Sequence, residues 1–144
     1  MSFDLIYLPP HLQNFAGDYE GEASDRFSKK HEGCFLVTAR KNEASKYEIK
    51  LWAVGASYTH NCVYIACDLM KNPTSGRLLG GGRIQVDKSG SPVNVYGASG
   101  DFGGVSAELL REYFVAVGLT VTVDTFKATR EETLEWLARK GVVL

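Results

Sequence analysis

The spacing of the apolar residues changes along the chain, and this change constrains the fold more than any other feature. From Tyr47 to Ala53 every second residue is apolar, the pattern of a strand with one buried face. From Val105 to Val117 the apolar residues recur at helical spacing instead. Both periods occur without repeated strand–helix–strand units, so the sequence predicts an α+β fold.

Other segments extend the predicted sheet. The run Cys34–Ala39 predicts a strand, and the polar turn at residues 42–46 predicts that it pairs antiparallel with the strand that follows. Two alternating segments, residues 84–86 and 93–96, flank a turn and predict a hairpin. The first residues, Met1 to Leu8, predict a strand or an arm rather than a targeting segment, because they have no basic region.

The last third of the sequence predicts two helices separated by a strand. The first helix ends at Gly118, since glycine is usual just past a helix end. Leu119–Phe126 alternates and predicts a strand. The last helix begins at Thr129, where Glu132 completes a capping box, and it stops at Lys140. Together the elements predict a mixed, mostly antiparallel sheet of five or six strands with helices packed on it.

Composition argues against several classes of protein. The 144 residues fit a single domain with one core. The net charge of −1 and the absence of a basic run argue against a nucleic-acid binder, which needs positive charge to displace counterions. No apolar run reaches the 18 residues or so of a membrane span. Three cysteines, without a signal peptide, favour a reducing, cytoplasmic location over a disulfide framework.

His60 is the first candidate for chemistry. It lies between a predicted strand and the segment Cys62–Met70, which fits a helix but equally a buried strand. Histidine is the usual general base or nucleophile near neutral pH; the alternative is a surface or capping histidine. With Cys62 and Cys67 it would supply three zinc ligands, but this spacing matches no standard site. Small core cysteines are the favoured interpretation, so no metal is expected.

Two glycine-rich segments are candidates for anion binding. Gly80–Gly82 precede Arg83, at what the sequence suggests is the mouth of a strand. Glycines allow close approach of a ligand, and a guanidinium suits phosphate; the alternative is a tight turn followed by a solvated arginine. Ser99–Gly104 lies between a strand and a helix, where backbone N–H groups bind anions. Its alternative is an ordinary connection between those two elements.

The order of these segments resembles the protein phosphohistidine phosphatase (janus/ocnus) family. That order is His60 with a tyrosine four residues on at Tyr64, then Leu79–Ile84, then Val95–Gly103. The resemblance covers roughly residues 33–126. It implies an α/β sandwich-like domain with a mixed sheet and a phosphatase that needs no metal or other cofactor.

The resemblance also assigns roles to individual residues. It implies that His60 acts as general base or nucleophile and that the backbone amides of Ser99, Gly100 and Asp101 hold the phosphate. It places Arg83 near the site. A phosphoramidate P–N bond breaks readily once its nitrogen is protonated, so one positioned histidine and several donors are sufficient. We therefore expect His60, Arg83 and the Ser99–Asp101 loop to line one cleft.

The sequence departs from the family pattern at several positions. The family carries a lysine on the first strand of this region, but none of the nearest residues, Cys34 to Leu36, is basic. Thr59 replaces a frequent tyrosine, and Asp101 replaces a small residue. Residues 1–32, an arm or loop, and 127–144, a helix, extend beyond the family core.

Two functions follow as expectations. The first is removal of phosphate from phosphohistidine on a protein, or from a small phosphorylated substrate, in the cytoplasm and without nucleic acid or membrane partners. The second is a catalytically inactive member of the same fold that binds an anionic or phosphorylated ligand or a protein. A carboxylate at Asp101 and the missing lysine favour the second, since a negative charge beside the anion weakens phosphate binding.

Overall fold

The computed structural model describes residues 2–7, 32–54, 76–87, 89, 91–97, 103–124 and 130–142. They form six strands and two helices. The strands are β1 (Ser2–Tyr7), β2 (Glu32–Lys41), β3 (Tyr47–Val54), β4 (Arg77–Val86), β5 (Pro92–Tyr96) and β6 (Thr122–Asp124). The helices are α1 (Ala107–Ala116), between β5 and β6, and α2 (Arg130–Lys140), after β6.

All six strands form one sheet in the order β1-β3-β2-β4-β5-β6. The three central pairs are antiparallel, whereas both edge strands, β1 and β6, pair parallel with their neighbours. This confirms the predicted α+β class and the mixed, mostly antiparallel sheet. The predicted β2–β3 pair and the β4–β5 hairpin are both confirmed.

The core lies between one face of the sheet and the helices. Residues that alternate along the central strands point toward it, as the two-residue period predicts. The buried strand residues are Phe35, Val37, Ile49, Leu51, Ile84 and Val95, and the buried helix residues are Leu109, Leu110, Tyr113, Phe114, Trp136 and Leu137. Each fully buried apolar side chain of this size contributes about 1.5–3 kcal/mol.

The ends of α1 follow from local chemistry. The side chain of Ser106 accepts a hydrogen bond from Leu109 N at 3.3 Å and caps the first turn. Gly118 follows the helix with φ of +80°, a conformation that glycine adopts without steric cost. The predicted helix end at Gly118 is confirmed. In the described residues, neither helix is long and apolar enough to cross a membrane.

The glycine run lies inside β4, which corrects the expectation that it marks a strand mouth or a tight turn. Gly80, Gly81 and Gly82 pair with β2 and are buried. A Cβ on Gly82 would collide with the Tyr96 carbonyl oxygen and would lie 2.6 Å from the Phe35 ring. Gly80 and Gly82 are needed because neighbouring chain segments pass too close for any side chain at these two positions.

The last two elements differ from their predictions. β6 has three residues because only these pair with β5, although Leu119–Phe126 alternates over a longer stretch. α2 ends at Lys140 as expected, but φ is between 42° and 52° throughout Glu131–Arg139, which is a left-handed backbone. Thr129 and the segment Cys62–Met70 lie outside the described residues.

Candidate functional site

Arg83 is the candidate site residue that the structure describes. It is half-buried in the interior of β4, directly opposite Cys34 on β2 and Tyr96 on β5. Tyr96 in turn lies opposite Asp124 on β6. Residues opposite one another in neighbouring strands share a face, so these four side chains form one row across the sheet. The row occupies the face away from the core, because the adjacent residues Phe35, Ile84 and Val95 point into the core.

The other candidates from the sequence lie outside the described residues. They are His60, Ser99, Gly100 and Asp101, and the cysteines of the alternative zinc site, Cys62 and Cys67. Their convergence with Arg83 therefore stays a prediction. Within the described residues, no three His, Cys, Asp or Glu side chains cluster closely enough to hold a metal ion.

Both ends of the candidate phosphate loop are fixed to the fold. Gly97 precedes the loop, and a Cβ there would lie 2.7 Å from Val105 N, so the two backbones are in close contact. Gly103 follows the loop with φ of +79°, and its carbonyl oxygen accepts a hydrogen bond from Gly81 N at 3.0 Å. The glycine run of β4 therefore contacts Gly103, and Gly97 contacts Val105, so the described residues on either side of the candidate loop are held by the fold.

The start of α1 uses at least two of its backbone N–H groups internally. Leu109 N donates to the Ser106 side chain, and Ser106 N donates to Thr133 Oγ1 at 2.6 Å. These donors are not free to bind an anion. The resemblance assigns phosphate binding to the amides of Ser99, Gly100 and Asp101 instead.

A family model described as Janus/Ocnus family matches residues 34–116, more than half of the chain. The chain belongs to the Janus/Ocnus family. The match begins in β2, ends at the last residue of α1 and includes Arg83. No curated protein and no solved structure matches the chain significantly.

The sheet register locates the departure from the Janus/Ocnus pattern on β2. Phe35 points into the core beside Gly82, whereas Cys34 and Leu36 point to the opposite face. Cys34 is directly opposite Arg83 and is completely buried. A basic residue at position 34 would therefore stand next to Arg83, and this chain has a thiol there instead.

Arg130 lies beside Gly103 of this Janus/Ocnus chain, although it is outside the matched residues. Its Cδ and Cβ lie 3.5 and 3.6 Å from the position that a Cβ on Gly103 would occupy, and its Nη1 donates to the Leu79 carbonyl oxygen at 3.4 Å. The sequence analysis did not predict Arg130 as a candidate site residue. One signal was available, because a basic residue in the first turn of a helix is unfavourable for the helix dipole.

Proposed function

We propose that this protein is a metal-independent phosphatase that removes phosphate from phosphohistidine on proteins. One observation carries the proposal. Within the family-matched residues, Arg83 lies beside Tyr96, the last strand residue before a loop whose two ends are fixed by Gly97 and Gly103. A guanidinium beside an anchored glycine-flanked loop is the arrangement that a phosphoryl group needs.

In the proposed reaction, the loop amides of Ser99, Gly100 and Asp101 and the guanidinium of Arg83 neutralise the phosphoryl oxygens. His60 either removes a proton from an attacking water or attacks phosphorus itself. The P–N bond breaks, its electron pair goes to the imidazole nitrogen of the substrate, and that nitrogen receives a proton. Where His60 is the nucleophile, the phosphoryl group is first bonded to His60, and a water then attacks phosphorus and breaks that second P–N bond. Inorganic phosphate and an unmodified histidine are released. The substrate is a phosphohistidine-containing protein or a small phosphorylated molecule in the cytoplasm.

Hydrolysis of a phosphohistidine peptide in the presence of a chelator tests the proposal. We expect turnover by the unmodified protein and a loss of at least about a hundredfold in the His60→Ala variant, since general acid–base catalysis contributes that much. Arg139→Ala is the control for a substitution outside the proposed site, and it should leave turnover unchanged. Arg139 lies in the last turn of α2 and pairs with Glu108 of α1. Turnover that survives in His60→Ala would contradict the assignment of His60.

The buried thiol opposite Arg83 favours a second candidate, a catalytically inactive member that binds an anionic ligand or a protein partner. The Cys34→Lys and Asp101→Ala variants distinguish this inactive binding protein from the active phosphatase. If the protein binds inorganic phosphate but does not turn over, restoring a cation beside Arg83 or removing a carboxylate from the loop should strengthen binding or create activity. If neither variant changes binding or turnover, Cys34 and Asp101 are not the reason for inactivity.

A further inference from the structure

A groove between α1, α2 and β1 has mainly apolar walls. Val115 and Ala116 of α1 form one side, Phe3 of β1 forms another, and Trp136 of α2, which is only 2% exposed, forms the inner wall. The volume of the groove is about 480 Å³, within the range of roughly 300–1,000 Å³ that small-molecule sites occupy. The groove lies on the helix side of the sheet, whereas Arg83 lies on the opposite face. It is therefore separate from the proposed phosphatase site.

Contacts within the fold hold the walls of the groove in place. The Phe3 ring packs edge-on against Tyr113, with the ring centroids 5.7 Å apart. Trp136 donates its indole N–H to Glu112, and the Lys140 ammonium lies 5.8 Å from the centroid of the Trp136 ring. A groove whose walls are already ordered binds a ligand without the cost of ordering them.

Val115 is an apolar residue that the core does not use. It is 79% exposed, whereas Leu110 and Phe114 of the same helix are buried against the sheet. Only one other large apolar residue in the described segments is exposed, Val93 on β5, and three strands separate β5 from β1. Among these residues the exposed apolar surface is confined to the groove, and a stable protein interface needs about 1,000 Å² or more. This favours a small ligand over a second copy of the chain.

Arg111 gives the groove an uncompensated positive charge. The charged residues that line it are two cations, Arg111 and Lys140, and one carboxylate, Glu112. Lys140 and Glu112 form an ion pair and compensate each other. Arg111 is exposed and forms no ion pair with another described residue. It lies four residues before Val115, and residues at this spacing lie on the same face of a helix, so a ligand on Val115 can reach the guanidinium.

We propose that this groove binds a free fatty acid, with the alkyl chain against Trp136, Phe3 and Val115 and the carboxylate at Arg111. The chain supplies most of the affinity, because hydrophobic binding grows with the apolar area removed from water. The guanidinium selects for the carboxylate, with which it forms two parallel charge-assisted hydrogen bonds. A carboxylate without a chain is not held, since an exposed ion pair alone contributes little. The site does not depend on the proposed phosphatase activity.

Titration calorimetry with octanoate tests the proposal, with 1-octanol and acetate as comparison ligands. We expect octanoate to bind at one site with a Kd below about 1 mM, 1-octanol to bind at least about threefold more weakly, and acetate not to bind. Decanoate should bind about threefold to tenfold more tightly than octanoate, because its chain has two more CH₂ groups. The chain contains two tryptophans, Trp52 and Trp136, so the fluorescence of a Trp52→Phe variant should report binding at Trp136 alone.

Variants at two exposed positions separate the chain contact from the charge. Val115→Gln should weaken the binding of both octanoate and 1-octanol by about threefold to tenfold, since it replaces apolar surface with an amide. Arg111→Gln should weaken octanoate binding by a similar factor but change 1-octanol binding by less than about twofold. Arg77→Gln, at an exposed arginine that begins β4, controls for the loss of one positive charge and should change neither. All three variants should keep the melting temperature nearly unchanged, because these positions are exposed.

Several results would overturn the proposal. If octanoate gives no saturable heat, the groove is not a fatty-acid site. If Val115→Gln and Arg111→Gln bind octanoate as the unmodified protein does, octanoate binds elsewhere. If 1-octanol binds as tightly as octanoate, the ligand is not an anion. Sedimentation velocity tests the competing occupant: a dimer that Val115→Gln dissociates would make the groove an interface between two copies, and the proposal would be wrong.

Discussion

The two helices contact each other and the same core, but different interactions hold them. α1 buries Leu109, Leu110, Tyr113 and Phe114 and has a serine cap at its start. α2 buries Trp136 and Leu137, and four polar contacts tie it to α1. In these contacts Thr133 accepts from Ser106 N, Glu112 accepts from both Trp136 and Lys140, and Arg139 pairs with Glu108. Apolar burial therefore positions α1, whereas α2 depends more on polar links.

The polar links of α2 add little to its stability. The Arg139–Glu108 and Lys140–Glu112 pairs are exposed, and exposed ion pairs contribute only about 0–1 kcal/mol each. We therefore expect α2 to open before the sheet and α1 unfold.

Truncating one buried leucine in each helix should give the largest difference. Leu110→Ala should lower the free energy of unfolding by about 2–5 kcal/mol, because the cavity lies between α1 and the sheet. Leu137→Ala should cost less, about 1–2 kcal/mol, because α2 opens locally and contributes less to global stability. Urea unfolding followed by far-ultraviolet circular dichroism measures both. Equal losses would show that α2 is as firmly docked as α1.

Removing the hydroxyl of Thr133 should have the next largest effect. The Ser106 amide is buried, so Thr133→Val leaves it without this acceptor at a cost of about 1–3 kcal/mol. Hydrogen exchange at the Ser106 amide should accelerate correspondingly. The control is Thr122→Val on the exposed edge strand β6, which should change stability by less than about 0.5 kcal/mol. Unchanged exchange at Ser106 would show that Thr133 does not hold α1.

The smallest effect concerns pH. The hydrogen bond from Lys140 lowers the pKa of Glu112 below its usual value. Burial opposes this shift, and the hydrogen bond from Trp136 and the charge of Lys140 add to it. A lowered pKa in the folded state contributes stability above the unfolded pKa, and this is lost as the pH falls through the folded value. The side chain is 40% exposed, so the contribution stays below about 1 kcal/mol. The stability difference between the unmodified protein and Glu112→Gln should shrink from pH 6 to pH 3 and also in high salt.

Some of these features follow from the sequence and others do not. The bounds of β3 agree with the prediction because alternation identifies a strand with one buried face. The interior glycines of β4 were misread, because the sequence does not show which segment passes close to them. Cys34 beside Arg83 and Arg130 beside Gly103 depend on tertiary contacts between distant segments.

The parallel pairing of β1 at the sheet edge has a consequence for synthesis on the ribosome. Ser2 pairs with Glu48, so 46 residues must be added after Ser2 before its partner exists. At usual elongation rates of about 5–20 residues per second, β1 waits roughly 2–9 s with its backbone donors and acceptors exposed. β2 and β3, joined by a short turn, can form their hairpin as soon as both have emerged. β1 is therefore added to a hairpin that has already formed, and during that wait it is open to pairing with another nascent chain.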